Sequence, residues 1–293
     1  MNPMFTPVLR KLGVALLRSQ VTATRIHGVG GIIRSNCLHK NSVTLSLKMA
    51  KYRPVTHVIF DMDGLLLDTE RIYTEVTDEI CSEYGKKFTW EVKVKLMGQR
   101  ERDAAKIIID ELQLPLTVDE CIQKVSVLQK KAFPNVPLLP GAKRLVEHLY
   151  KHNIPMAIAS GSGKEKFKWK TVKHQELMNM FHHFVLSSDD PEVKHSKPAP
   201  DCFQVCAKRF PDQPSPEKIL VFEDAPNGVL SGAAAGMQVV WVPDTRANRS
   251  QLLDKVSIIL DTLEDFQPEL FGLPPFDECH PKTDSKEATT SQM

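Results

Sequence analysis

No aspartate or glutamate occurs before Asp61, although the 293-residue chain holds 36 acidic residues against 38 Lys and Arg. The acid-free stretch is a compositionally separate segment. In it Arg10, Lys11, Arg18, Arg25 and Arg34 are interleaved with Val8, Leu9, Leu12, Val14, Leu16 and Leu17. Arg-rich, Ser-containing and acid-poor is the composition of a mitochondrial transit peptide. The alternative is an unstructured or untranslated extension, with synthesis starting at Met49 and a cytoplasmic product. No run of about 18 apolar residues exists, so no transmembrane helix is expected. A net charge of only +2 removes the electrostatic case for nucleic acid or an anionic membrane as partner. The cysteines at 37, 81, 121, 202, 206 and 279 include no C-x-x-C pair. Cys202 and Cys206 share a helix face, but two thiols alone make a poor zinc site, and the set reads as structural thiols in a reducing compartment.

Beyond the extension the chain alternates between apolar runs and helical patterns, which predicts an α/β fold with a Rossmann-like parallel sheet core. The runs at 55–60, 154–160, 184–187, 219–223, 238–243 and 257–260 are the expected strands. They are continuous rather than alternating, as in strands buried on both faces. Helices are expected at 141–152, 200–210 and 226–235, the last two opened by a proline suited to a first turn. The stretch between the first two strands is too long for a crossover. Ile72, Val76, Ile80 and Tyr84, then Ala104, Ile108 and Leu112, then Val118, Ile122 and Val125 carry helical spacing there. An inserted all-helical cap domain at 68–138 explains it. The division is therefore an extension at 1–53, a core at 54–67 and 139–276, the cap, and a disordered polar tail at 277–293.

Polar residues collect where these strands end, and in an open parallel sheet ligands bind beyond those ends. The first strand runs into Asp61-Met-Asp63-Gly64 and the second ends in Ser160-Gly161-Ser162-Gly163. After the third comes Lys197-Pro198, and the fourth ends in Glu223-Asp224. Each motif alone is weak: a D-x-D pair is usually turn chemistry, and Glu-Asp before a helix is usually capping. In this order, each at a strand end, they converge. Phosphate monoesters are among the slowest substrates to hydrolyse, with enhancements up to about 10²¹-fold. Such a site must place an oxygen nucleophile in line and neutralise charge on the transferring group. A carboxylate nucleophile is repelled by a phosphate dianion, so a divalent cation is needed. Asp61, Asp63 and Asp224 offer Mg2+ an oxygen-rich shell, and the absence of nearby His and Cys argues against zinc.

These four motifs resemble those of the haloacid dehalogenase superfamily, and the cap resembles that of its helical-capped subgroup. The likeness covers residues 55 to about 275. It implies that Asp61 is a nucleophile that becomes an aspartyl phosphate, and that Asp63 is the acid and then the base. It implies phosphate binding by Ser160 and the amide of Gly161, and pairing of Lys197 with Asp61. It implies metal ligation by Asp61, Asp224 and the Asp63 carbonyl, with Glu223 as a ligand or its support. A second Asp marks phosphotransferases in this family and excludes the dehalogenase reaction. The phrases at 57–71, 221–229, 234–240 and 265–274 resemble its branch acting on pseudouridine 5′-phosphate. That implies a nucleoside 5′-monophosphate as the small-molecule partner of a hydrolase; separately, a monomer is expected. Arg100, in Met97-Gly98-Gln99-Arg100, sits where capped relatives carry a specificity loop and reads either as a contact to the nucleoside or as a solvated surface arginine. Cap lysines 86, 87, 93 and 95 read as an exposed face, and Tyr73, Phe88 and Trp90 as cap–core packing or base stacking. A β-phosphoglucomutase-like enzyme shares cap and motifs, but Tyr73 stands where its cap histidine would be. A phosphatase of small sugar phosphates and a non-catalytic binding protein are the remaining readings.

Overall fold

The structure is a computed structural model that describes residues 52–96 and 101–277. Residues 1–51 of the extension, Arg100 and the tail beyond Asp277 lie outside the described residues. In chain order the elements are β1 (His57–Phe60), α1 (Thr69–Glu83), α2 (Trp90–Leu96), α3 (Glu101–Leu112), α4 (Val118–Ala132) and α5 (Ala142–Lys151). Then come β2 (Met156–Ser160), α6 (Lys164–Thr171), the single turn α7 (Gln175–Met178), β3 (His183–Leu186) and α8 (Asp201–Lys208). Last are β4 (Ile219–Glu223), α9 (Pro226–Ala234), β5 (Gln238–Trp241) and β6 (Ile258–Ile259). The six strands are all parallel, in the order β3-β2-β1-β4-β5-β6. That is the doubly wound order, whose switch point falls between β1 and β4.

The strands are apolar throughout because both faces are covered. Val58 and Phe60 of β1 face one layer with Leu145 and Leu149 of α5, while Ile59 faces another with Phe203 of α8 and Val229 of α9. Every residue of β1, β2 and β4 is buried.

Helices α1 to α4 lie between β1 and α5. The chain leaves the sheet and returns along two adjacent segments, with Leu139 N–H donating to Leu66 O (2.9 Å) and Asp68 N–H donating to Pro137 O (3.0 Å). Ile72, Val76 and Ile80 of α1 join the main core, and Cys81, Phe88, Val92, Ile108 and Leu114 form a small core of their own. Helix α2 carries no long periodic run, and the sequence pattern passed over it. Helices α6 and α7 were passed over for a related reason: Lys164-Glu-Lys-Phe-Lys-Trp-Lys170 alternates charge and bulk without a helical apolar stripe. Lys93 departs from expectation. It is not part of an exposed face but 9% exposed, with Nζ bound to Glu70 Oε2 (3.0 Å) and Thr74 Oγ1 (2.9 Å).

Candidate active site

Parallel register brings the acidic residues together. Phe60 pairs with Phe222, so the next residue, Asp61, lies beside Glu223, and Asp61 N–H donates to Phe222 O (3.0 Å). Ligand oxygens of Asp61, Glu223 and Asp224 all lie within 4.8 Å of one another. Asp224 is anchored by its own carbonyl, which accepts from Trp241 Nε1 (2.8 Å). Gly64, at φ +77°, gives the backbone room: a Cβ there would fall on the Asp224 carboxylate.

Lys197 reaches this cluster from the loop before α8. Its Nζ contacts Asp61 Oδ1 (2.5 Å), Glu223 Oε1 (2.6 Å) and Ala159 O (2.9 Å), so all three ammonium hydrogens are used. The other Glu223 oxygen accepts from the Asp224 and Ala225 amides at 3.1 and 3.3 Å, and Gly228 of α9 packs against the carboxylate. Burial works against the Lys197 ammonium, but Asp61 and Glu223 override it and hold its pKa well above the ordinary lysine range. Burial pushes Asp61 up to about 7 against the pull of Lys197, and Glu223 and Asp63 add to the push. Asp224 is also driven well up, by burial and by the charges of Glu223, Asp61 and Glu70.

Asp63 points elsewhere. Its Oδ2 accepts from Ser160 Oγ (3.2 Å) and Ser162 Oγ (3.0 Å), and its Oδ1 is bound by Lys170 Nζ. Burial alone would raise this carboxyl, but Lys170, with hydrogen bonds from Ser162 and Thr69, holds it below its ordinary value. The Ser160 hydroxyl is fully buried and also accepts from Ser162 N–H (3.0 Å). Gly161, the next residue, is exposed at the end of β2. Asp61, Asp63, Ser160, Gly161, Lys197, Glu223 and Asp224 are therefore gathered at neighbouring strand ends.

Sequence reasoning missed Lys170 and Ser162. Lys170 is one of four lysines in a seven-residue stretch, which reads as solvated surface, and only its tertiary setting separates it from the others. Tyr73 and Trp90 take packing positions. Tyr73 meets Phe133 edge to face at 5.3 Å, and Arg246 covers one face of Trp90 at 3.8 Å. A crevice of 410 Å³ opens beside Asp224, between Glu70, Trp90 and Lys93 of the cap and Asp244 and Arg246 of the core.

Comparison with known proteins accounts for this arrangement. A family model described as haloacid dehalogenase-like hydrolase matches residues 58–242, and the chain belongs to that family. It is 48% identical to "(DL)-glycerol-3-phosphatase 2" of Arabidopsis thaliana, covering 77% of this chain and 95% of the relative. It is 44% identical to "Probable pseudouridine-5'-phosphatase" of Drosophila melanogaster, covering 76% of this chain and 96% of the relative. A HAD family hydrolase from Deinococcus radiodurans, solved with bound phosphate and sodium, shares the fold. The TM-score is 0.63 at 21% identity, covering 76% of this chain and 99% of that one.

Proposed function

We propose that this chain is a Mg2+-dependent phosphoric monoester hydrolase that forms an aspartyl phosphate on Asp61 and acts on pseudouridine 5′-phosphate. The observation that carries the reading is the meeting of Asp61, Lys197, Glu223 and Asp224 at the switch point. The donor set suits a hard dication, since it is all carboxylate with no His or Cys. The charge balance suits it too. With all four carboxyls ionised, Asp61, Asp63, Glu223 and Asp224 face the ammonium groups of Lys170 and Lys197 with a surplus of two negative charges, a crowding that raises the pKa values of Asp61 and Asp224 and that a dication would relieve. Asp61 and Asp224 would hold Mg2+, with the Asp63 carbonyl and with Glu223 as ligand or support. Bound there, the ion neutralises charge between the nucleophile and the phosphate dianion.

The chain's own residues do the rest. Asp61 attacks phosphorus as the bond to the leaving oxygen breaks; Asp63, ionised here, takes up a proton from solvent as the phosphate binds and gives it to that oxygen. Asp63, now ionised, takes a proton from the water that opens the acyl phosphate. Lys197 keeps Asp61 aligned and ionised, since its charge opposes the effect of burial. Ser160 and the Gly161 amide orient the phosphate. For this the Ser160 hydroxyl must turn from Asp63, to which it donates here.

The Drosophila relative's name supports pseudouridine 5′-phosphate. The higher identity to a glycerol-3-phosphatase supports a second reading, glycerol 3-phosphate. A phosphate-release screen with pseudouridine 5′-phosphate, uridine 5′-phosphate and glycerol 3-phosphate, run with Mg2+ and with EDTA, tests both. The first reading expects the highest kcat/KM on pseudouridine 5′-phosphate and loss of activity in EDTA. Preference for glycerol 3-phosphate moves the assignment to the second. Release unaffected by EDTA ends the Mg2+ assignment.

A further inference from the structure

Helix α6 places an ammonium group where no solvent reaches it. The Lys170 side chain is 0% exposed, and its Nζ binds Asp63 Oδ1, Tyr73 Oη (2.9 Å) and Ser162 Oγ (2.9 Å). The rings of Phe133 and Tyr73 lie 4.8 and 5.2 Å from the same nitrogen. Tyr73 stands in the first cap helix and Phe133 at the end of the last, so Lys170 sits against both cap connections and the loop after β1. An isolated charge here would be expensive to bury; replacing the whole Lys170–Asp63 pair by apolar residues of similar volume is often neutral or stabilising, whereas removing one partner strands the other. Fold stability alone does not account for its presence.

We infer that Lys170 is a positioning residue for Asp63, acting with Tyr73 to fix which carboxylate oxygen handles the proton. The two oxygens are held unequally. Oδ1 is clamped by a charge-assisted bond from a nitrogen whose three donors are all committed. Oδ2 accepts from the Ser160 and Ser162 hydroxyls, neutral donors whose hydrogens can turn away and release it. Oδ2 is therefore the oxygen that donates to the leaving group and accepts from water. Tyr73 steadies the clamp from the cap side, since its hydroxyl receives the second Lys170 bond. The inference rests on the proposed acid and base role of Asp63.

The test is a double-mutant cycle on turnover with an alkyl phosphate substrate and Mg2+. Lys170→Met, Tyr73→Phe and Asp63→Asn are made alone and in the pairs Lys170→Met/Asp63→Asn and Tyr73→Phe/Asp63→Asn. Misplacing a proton-transfer group by an ångström costs about 10²-fold. Lys170→Met is therefore expected to lower kcat about 10²-fold with KM nearly unchanged, and to lower it no further once Asp63 is Asn. Tyr73→Phe should lose less, with the same dependence on Asp63. Equal losses with and without Asp63 would assign Lys170 a purely structural role and overturn the inference, as would unchanged kcat in Lys170→Met. If Lys170→Met fails to fold, the Tyr73→Phe cycle decides by the same criterion. The proposed reaction fails separately: full turnover in Asp61→Asn would refute it whatever the cycle shows.

Discussion

Asp61 is held on one side by a lysine and on the other by two acids, and in the proposed reaction its carboxylate must be both aligned and charged to attack phosphorus. Asp61→Asn keeps the shape but removes the negative oxygen. Phosphate release is expected to fall below detection while far-ultraviolet circular dichroism stays unchanged. Gly228 makes a second residue-scale case. A Cβ on that residue would lie inside the Glu223 carboxylate, which is pinned by Lys197 and two backbone amides. Over-packing of this kind typically costs about 1–3 kcal/mol. Gly228→Ala should lower the urea midpoint by that equivalent and lower kcat as well, since Glu223 would shift and carry Lys197 with it. An unchanged kcat would mean that Glu223 has room to move without disturbing Asp61.

Among the elements, α4 carries a well-defined start signal. Thr117 accepts from Glu120 N–H (3.3 Å), and the Glu120 side chain accepts from Thr117 N–H (2.8 Å), a reciprocal capping box. Thr117→Ala should cost about 1 kcal/mol in urea unfolding, with kcat retained because the cap end lies on the surface. The same helix shows why cap helices were easier to infer as a group than one by one. Val118, Ile122 and Val125 gave it periodicity, whereas α2 spans only seven residues and holds its place through Val92 and the buried Lys93. The strands β1, β2 and β4 were legible as continuous apolar runs because they are buried on both faces, and β6, two residues long, barely so.

Across the whole molecule, buried and half-buried histidines set a pH window for stability. His57, His148 and His183 all have lowered pKa values, chiefly through burial. A base lowered on folding adds stability that is full above its unfolded value of about 6.5 and is lost as pH falls through the folded value. Asp61, raised on folding, works in the opposite sense and loses stability as pH rises. Comparing wild type with His183→Gln cancels the Asp61 contribution. Wild-type stability should fall more steeply than the variant's between pH 7 and pH 5 in urea titrations; equal slopes would remove His183 from the account.

The succession of strands along the chain, the presence of a helical insertion and the identity of Asp61, Asp63, Lys197, Glu223 and Asp224 as candidates came from local pattern. Alternating helices and buried β-branched runs dictate a parallel sheet, and polar residues survive only at its ends. What sequence could not decide was which charges meet. Asp61 and Lys197 are 136 residues apart, and Asp63 and Lys170 are 107 apart. Lys170 and Lys93 look like any surface lysine until folding withdraws water from them. Burial and partner choice arise from long-range packing, and those two quantities set the charge of each group at the crevice.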